Sequence, residues 1–281
     1  MSKNPDILKV SSLRKVYGSG SAAVHAIGDL SFRVKSGELV CIVGPSGAGK
    51  TTFLRCVAGL LTATSGDIEL DGVAIDGPPK DMAVVFQEYG RSLYPWMTVA
   101  QNVEFPLLEK KLGRSRRSAL VSEALEAVGL ASSAAAYPWQ LSGGMQQRVA
   151  IARAIAYEPR LLIMDEPFAA VDAQTRADLE DLVRDLWSRF DITVLFVTHD
   201  IDESVYLAQR VLVLSSAPTF MLAEVEIDLP DVRDQLTTRS DPRFTAHRTR
   251  IYQLIQEAKH TNWTNRADCS PADEHVTVPA P

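Results

Sequence analysis

The chain has 281 residues, 46% hydrophobic and 23% charged, which is ample for one large core with a subdomain and unlike a disordered or fibrous composition. Its 29 Lys and Arg stand against 35 Asp and Glu, a formal charge of −6, so no basic surplus drives nucleic-acid binding and nucleic acid is excluded as an expected partner. No run of about 18 apolar residues occurs and the opening MSKNPDILKV lacks the apolar stretch of a signal peptide, so any membrane role is expected to come through a partner.

In chain order, residues 7–34 form short β-branched runs interrupted by YGSGS, which predicts a hairpin-like edge sheet. An apolar run at 39–43, a glycine-rich turn and helical spacing over 50–60 then read as strand, loop, helix. Further strands are expected at 67–70 and 82–86. Between residues 98 and 157 the period becomes helical, which predicts an inserted helical subdomain over 88–158. Buried strands and helices then alternate at 161–164, 173–190, 193–197, 200–208 and 211–214, the pattern of a mostly parallel sheet covered on both faces. A last helix is expected at 242–259, and the Pro-, Ala- and Asp-rich residues 261–281 read as a disordered tail. Cys41, Cys56 and Cys269 show no CxxC spacing, which suits a reducing compartment and argues against zinc.

Residues 44–51 spell GPSGAGKT between the apolar strand and the helix, the context that a phosphate-binding P-loop requires. Gly44, Gly47 and Gly49 free the backbone N–H groups to converge on an anion, and the helix start adds partial positive charge. Lys50 can reach terminal phosphates, and Thr51 offers a hydroxyl to Mg²⁺. A P-loop enzyme also needs carboxylates, and LLIMDEP supplies Asp165 and Glu166 at the end of a buried strand. One can hold Mg²⁺ through water while the other orients or deprotonates the attacking water, although a DE pair before Pro167 also suits a helix cap. His199 follows the strand TVLFVT at the sheet edge where ligands bind in open α/β folds. In LSGGMQQR, Ser142 caps a long helix whose start, Gly143 and Gly144, is built to approach an anion. Whether it meets this chain's own P-loop or a partner's is left open by the sequence.

Taken in order, GPSGAGKT, Gln87 in VFQEY, LSGGMQQR, LLIMDEP, Asp172 and His199 in VTHD resemble the ATP-binding subunits of ABC transporters over residues 7–260. The resemblance implies a P-loop NTPase (RecA-like) core with a mostly parallel sheet, an N-terminal antiparallel β subdomain and the helical insert. It divides the chain into core residues 7–87 and 159–235, an insert at 88–158, a helical segment at 236–260 and the tail. It implies that Tyr17 stacks on adenine and that Gly44, Pro45, Ser46, Gly47, Ala48, Gly49, Lys50, Thr51 and Thr52 hold the phosphates of ATP. It further implies that Gln87 senses the γ-phosphate and Mg²⁺ and that Asp165 coordinates the ion. Glu166 then acts on water and His199 stabilises the γ-phosphate. Ser142, Gly143 and Gly144 close over nucleotide held by a second copy of the chain, giving a head-to-tail dimer. The segments LYPWMTVAQNV and DLPDVRDQLTTRSDPRF resemble importer subunits for nitrate, sulfonate and taurine, with Tyr94, Trp96 and Met97 as candidate contacts to an integral-membrane permease and a solute-binding protein beyond it. This places the chain peripherally on the cytoplasmic face of the membrane. An exporter ATPase would use the same catalytic residues, so direction stays open. Met145 and Ala169 stand where the family usually has Gln and Ser. The basic residues Lys110, Lys111, Arg114, Arg116 and Arg117 read as a solvated helix-turn surface.

Overall fold

The structure, a computed structural model, describes residues 6–87 and 92–260. Its strands are β1 (Asp6–Tyr17), β2 (Val24–Lys35), β3 (Leu39–Val43), β4 (Ser65–Leu70), β5 (Val73–Ala74), β6 (Met82–Val85), β7 (Leu161–Asp165), β8 (Thr193–Val197), β9 (Arg210–Leu214) and β10 (Thr219–Glu226). They form one ten-stranded sheet in the order β5-β4-β1-β2-β10-β9-β3-β8-β7-β6. From β9 to β6 every ladder is parallel. At the other end, β2, β1, β4 and β5 pair antiparallel, as the antiparallel N-terminal unit requires.

The near-continuous apolar runs follow from burial on both faces. In β3, Leu39, Cys41 and Val43 face one core while Val40 and Ile42 face the other, and β8 divides in the same way. At about 25 cal/mol per Å² of apolar area removed from water, this two-faced burial is the main force that holds the parallel ladders together.

Among the described residues, seven α-helices accompany the sheet: α1 (Lys50–Val57), α2 (Val99–Glu104), α3 (Arg114–Ala127), α4 (Gly143–Ala156), α5 (Ala173–Phe190), α6 (Ile201–Leu207) and α7 (Pro242–His260). Between residues 92 and 157 the described chain is helical or irregular, and α4 packs on α2, α3 and α5. Among the described residues no helix is long and apolar enough to cross a membrane.

Several expectations need correction. The hairpin β1–β2 is not at an edge, because β4 and β5 pair outside β1 while β10 pairs with β2. Helix α1 ends at Val57 rather than near residue 60. Gly59 takes φ +67°, its N–H bonds Cys56 O, and a Cβ there would stand 2.2 Å from Gly77 O. Helix α6 is shorter than 200–208, since Asp200 caps it and Ala208 is already extended. Strand β10 was not expected at all. TFMLAEVE is rich in helix-compatible residues, and its β state comes from antiparallel pairing with β9. The expected disordered tail at 261–281 lies outside the described residues.

Candidate functional site

Four neighbouring strands, β3, β8, β7 and β6, end on the same edge of the sheet, and the residues after each face a common space. After β3 the backbone turns through Gly44, where a Cβ would stand 3.0 Å from Leu214 O. Gly47 and Gly49 then adopt φ +78° and +72°, conformations that side-chain-bearing residues rarely take. Gly49 is the N-cap of α1 and offers no side-chain acceptor, so the first N–H groups of the helix keep their bonding capacity. Lys50 is buried and donates from Nζ to Gly44 O at 2.9 Å and Pro45 O at 3.2 Å, folded back over its own loop. Burial lowers its pKa, against the opposing influence of Glu166 and Asp165, which places both carboxylates within its field. Ser46 and Thr51 are exposed and Ala48 is buried.

Thr219, at the start of β10, ties this loop to the N-terminal strands. Its hydroxyl donates to Ala26 O at 3.0 Å and also bonds Ala48 O. On the same side, the Tyr17 hydroxyl lies 3.3 Å from Thr52 Oγ1, so an exposed aromatic ring stands beside α1.

Strand β7 delivers Asp165 and Glu166. Burial, reinforced by Glu166 and opposed by Lys50 and Arg55, pushes the Asp165 carboxyl up to about 6. Glu166 adopts φ +44°, a left-handed conformation costing about 1–3 kcal/mol in a non-glycine residue, and its N–H bonds Val197 O at 2.8 Å. That bond ties the strained turn to β8, whose exit carries His199, with Nδ1 3.1 Å from Glu166 Oε2. Gln87, two residues beyond β6, is exposed at the same edge.

Chemically, the arrangement offers convergent N–H donors and an ammonium for phosphate, with a carboxylate and imidazole pair for a water. The metal question turns on the donor set. Among the described residues no cluster of three acidic, His or Cys side chains could enclose an ion. Asp165, with its neighbouring Glu166, is instead a donor set of the kind that suits Mg²⁺, which binds through few carboxylates and completes its shell with phosphate oxygens and water.

The structure leaves Ser142, Gly143 and Gly144 outside this assembly. Ser142 accepts the Met145 N–H at 3.3 Å as the N-cap of α4, and a Cβ at Gly144 would stand 2.4 Å from Thr175 Cγ2 in the first turn of α5. Among the described residues, no hydrogen bond joins residues 142–144 to residues 44–51. Asp172 caps α5 through the Thr175 N–H at 2.9 Å.

The helical insert carries an aromatic surface. The Tyr94 ring lies 5.5 Å from that of Trp96 and 4.8 Å from that of Phe105, while Trp96 is 69% exposed. Buried Asn102 holds the turn by bonding Tyr94, Met97 and Thr98 backbone groups. Sequence reasoning missed a second pair, Tyr137 stacked on Trp139 at 6.0 Å, with Trp139 70% exposed. The Val99 N–H to Ala136 O bond, at 2.8 Å, brings the two segments side by side. Of the basic run, exposed Arg116 pairs with Glu158, half-buried Arg117 pairs with Glu104, and Lys110 lies over the Tyr157 ring.

The fold and site together define a P-loop nucleotide-binding ATPase domain. The comparisons narrow this: the ABC transporter family model matches residues 27–169. The nitrate import ATP-binding protein NrtD of Synechocystis sp. is 43% identical over 254 residues, covering 89% of this chain and 95% of that one. The aliphatic sulfonates import ATP-binding protein SsuB of Bacillus licheniformis is 41% identical, covering 86% and 91%. Among solved structures, the dimeric ATP-binding cassette MJ0796 in a post-hydrolysis state bound to ADP and Pi superposes with a TM-score of 0.69 at 31% identity, covering 79% of this chain and all of that one. The chain therefore belongs to the ABC transporter family of ATP-binding subunits.

Proposed function

We propose that this chain binds ATP with Mg²⁺ in the loop at residues 44–51, hydrolyses it at the edge of β3, β8, β7 and β6, and thereby energises uptake of a small anion through a partner permease. The observation that carries the reading is the convergence of Lys50, Asp165, Glu166 and His199 on one sheet edge.

In this reading the residues at 44–49 cradle phosphate oxygens with backbone N–H groups, and Lys50 leaves its own loop carbonyls for the terminal phosphates. Tyr17, beside Thr52, supplies a ring for the adenine base. Thr51, Asp165 and Gln87 would hold the Mg²⁺, which would supply neutralising charge for the phosphates. Glu166 orients a water and takes its proton as the water oxygen attacks the γ-phosphorus. The bond to the β–γ bridging oxygen breaks, and ADP and phosphate leave. His199 keeps Glu166 aimed and donates to the γ-phosphate.

Ser142, Gly143 and Gly144 act on the nucleotide of a second copy, because within one chain they sit against α5 instead of the P-loop. The dimeric state of the MJ0796 cassette supports this. The permease meets the exposed face of Tyr94, Trp96 and Met97, which holds the subunit at the cytoplasmic surface of the membrane. The names of the nitrate and aliphatic sulfonate relatives support an oxyanion cargo of that class, and in this reading a solute-binding protein delivers it.

Sedimentation of the Glu166→Gln chain tests the shared site. A dimer with Mg²⁺ and ATP, absent with ADP and abolished by Ser142→Arg, is expected. A monomer in ATP despite proven nucleotide binding overturns the shared site. Vesicles holding the complex with its permease, assayed for ATP-driven nitrate and alkanesulfonate uptake, test the cargo.

A further inference from the structure

Behind His199 lies a group of charged side chains for which the proposed chemistry has no use. Thr198 Oγ1 donates to Glu203 Oε2 at 2.5 Å and accepts the Asp200 N–H at 2.9 Å. Asp200 Oδ1 in turn accepts the N–H groups of Asp202 at 2.9 Å and Glu203 at 3.2 Å, capping α6. The residues on either side of His199 are thus fixed to the start of α6. A cation from another helix closes the group: Arg176 of α5 donates from Nη1 to Asp200 Oδ2 at 3.0 Å, and its Nε lies 3.5 Å from Glu203 Oε1. Glu203 is almost wholly buried, and this guanidinium joins the Thr198 hydroxyl in opposing the effect of burial on its carboxyl.

Arg176 also occupies a telling place in the chain. It sits one residue after Thr175, whose methyl group is what Gly144 must clear, and four after Asp172. One turn of α5 therefore touches the LSGG helix through Thr175 and the histidine turn through Arg176.

We propose that Arg176 is a positioning residue for His199: by clamping Asp200 and Glu203 to the first turn of α5, it makes the aim of His199 at the γ-phosphate depend on the seating of the LSGG helix. This inference rests on the ATPase reading above. Its consequence is that one nucleotide site senses, through a single helical turn, the segment that serves the other.

The test is steady-state hydrolysis of Mg²⁺–ATP by the full chain, with ATP affinity and thermal unfolding measured in parallel. Arg176→Gln is expected to lower kcat about tenfold or more, the usual cost of losing a partner behind a reacting group, while KM and affinity for ATP stay within about twofold. Arg176→Lys keeps a cation but has one ammonium for two carboxylates, and is expected to fall about threefold in kcat at unchanged KM. A wild-type kcat in Arg176→Gln, or a parallel fall in kcat, ATP affinity and melting temperature, overturns the proposal. If Arg176→Gln fails to fold, Arg176→Lys decides alone, a wild-type kcat counting against it. A wild-type chain without ATPase activity would instead sink the underlying functional reading.

Discussion

Helices α1 and α4 both have glycine at their entry, Gly49 as the N-cap of one and Gly143 and Gly144 as the first residues of the other, and their surroundings differ completely. Helix α1 starts from Gly49 with no side-chain cap, and Lys50, Asp165, Glu166 and His199 gather around its entry. Helix α4 starts from Ser142, which already satisfies the Met145 N–H, and its second residue, Gly144, is pressed on Thr175. One terminus is furnished with counter-ions and a strained carboxylate; the other brings only backbone and a hydroxyl. In the function proposed above, the difference means that the chain supplies one phosphate site and the lid of another, so that a single copy is an unfinished enzyme.

The comparison breaks most visibly at Glu166. Glu166→Gln keeps the phosphate and metal contacts and loses the carboxylate, so ATP turnover is expected to fall about a hundredfold or more while ATP binding persists, checked by phosphate release and equilibrium binding. Lys50→Ala attacks the same furnished terminus from the binding side. Loss of a charge-assisted contact is expected to weaken ATP affinity by about tenfold or more, read by calorimetric titration. The bare terminus is tested by Gly144→Ala. The added methyl would meet Thr175 Cγ2 at 2.4 Å, so thermal unfolding should report about 1–3 kcal/mol of lost stability, and the ATP-dependent dimer should weaken as α4 shifts.

In the first turn of α6 lies Glu203, whose carboxyl is pushed up to about 7 from 4.5 by burial, with Asp200 and Glu180 adding to the rise and Thr198 and Arg176 opposing it. A raised folded-state pKa means that the folded chain binds the extra proton, so this group's stabilising contribution is whole below about pH 4.5 and is lost as pH rises to about 7. Glu203→Gln should remove that slope, a difference on the order of 2 kcal/mol between those limits in denaturant titrations run at each pH. The smallest stability effect is expected at Trp96, 69% exposed: Trp96→Ala should change stability by less than about 0.5 kcal/mol and leave ATP hydrolysis by the free chain intact, while reducing co-purification with the permease.

How much of this the sequence carries depends on the distance over which each feature is built. The P-loop is local: strand, glycines and helix are contiguous, and their order alone places Lys50. The ends of β7 and β8 are legible for the same reason, since an apolar run that stops at a carboxylate or histidine marks the edge of a buried sheet. The left-handed turn at Glu166 has no local signature, because the N–H bond to Val197 that pins it joins residues far apart in the chain. Strand β10 is invisible for a related reason, its residues being recruited by β9 and β2 against their own helical leaning. Trp139 escaped notice because only the fold lays residue 136 against residue 99.

The strand that leads into the P-loop, β3, has β8 on one side and β9 on the other. Both arrive more than a hundred residues later in the chain, after the whole helical insert and after Glu166. During synthesis, then, the complete GPSGAGKT motif leaves the ribosome long before either neighbour exists to receive it. A nascent chain cut short before Thr193 carries every letter of the phosphate loop but neither of the strands that flank β3, so the frame around the loop is a late event in the life of the molecule.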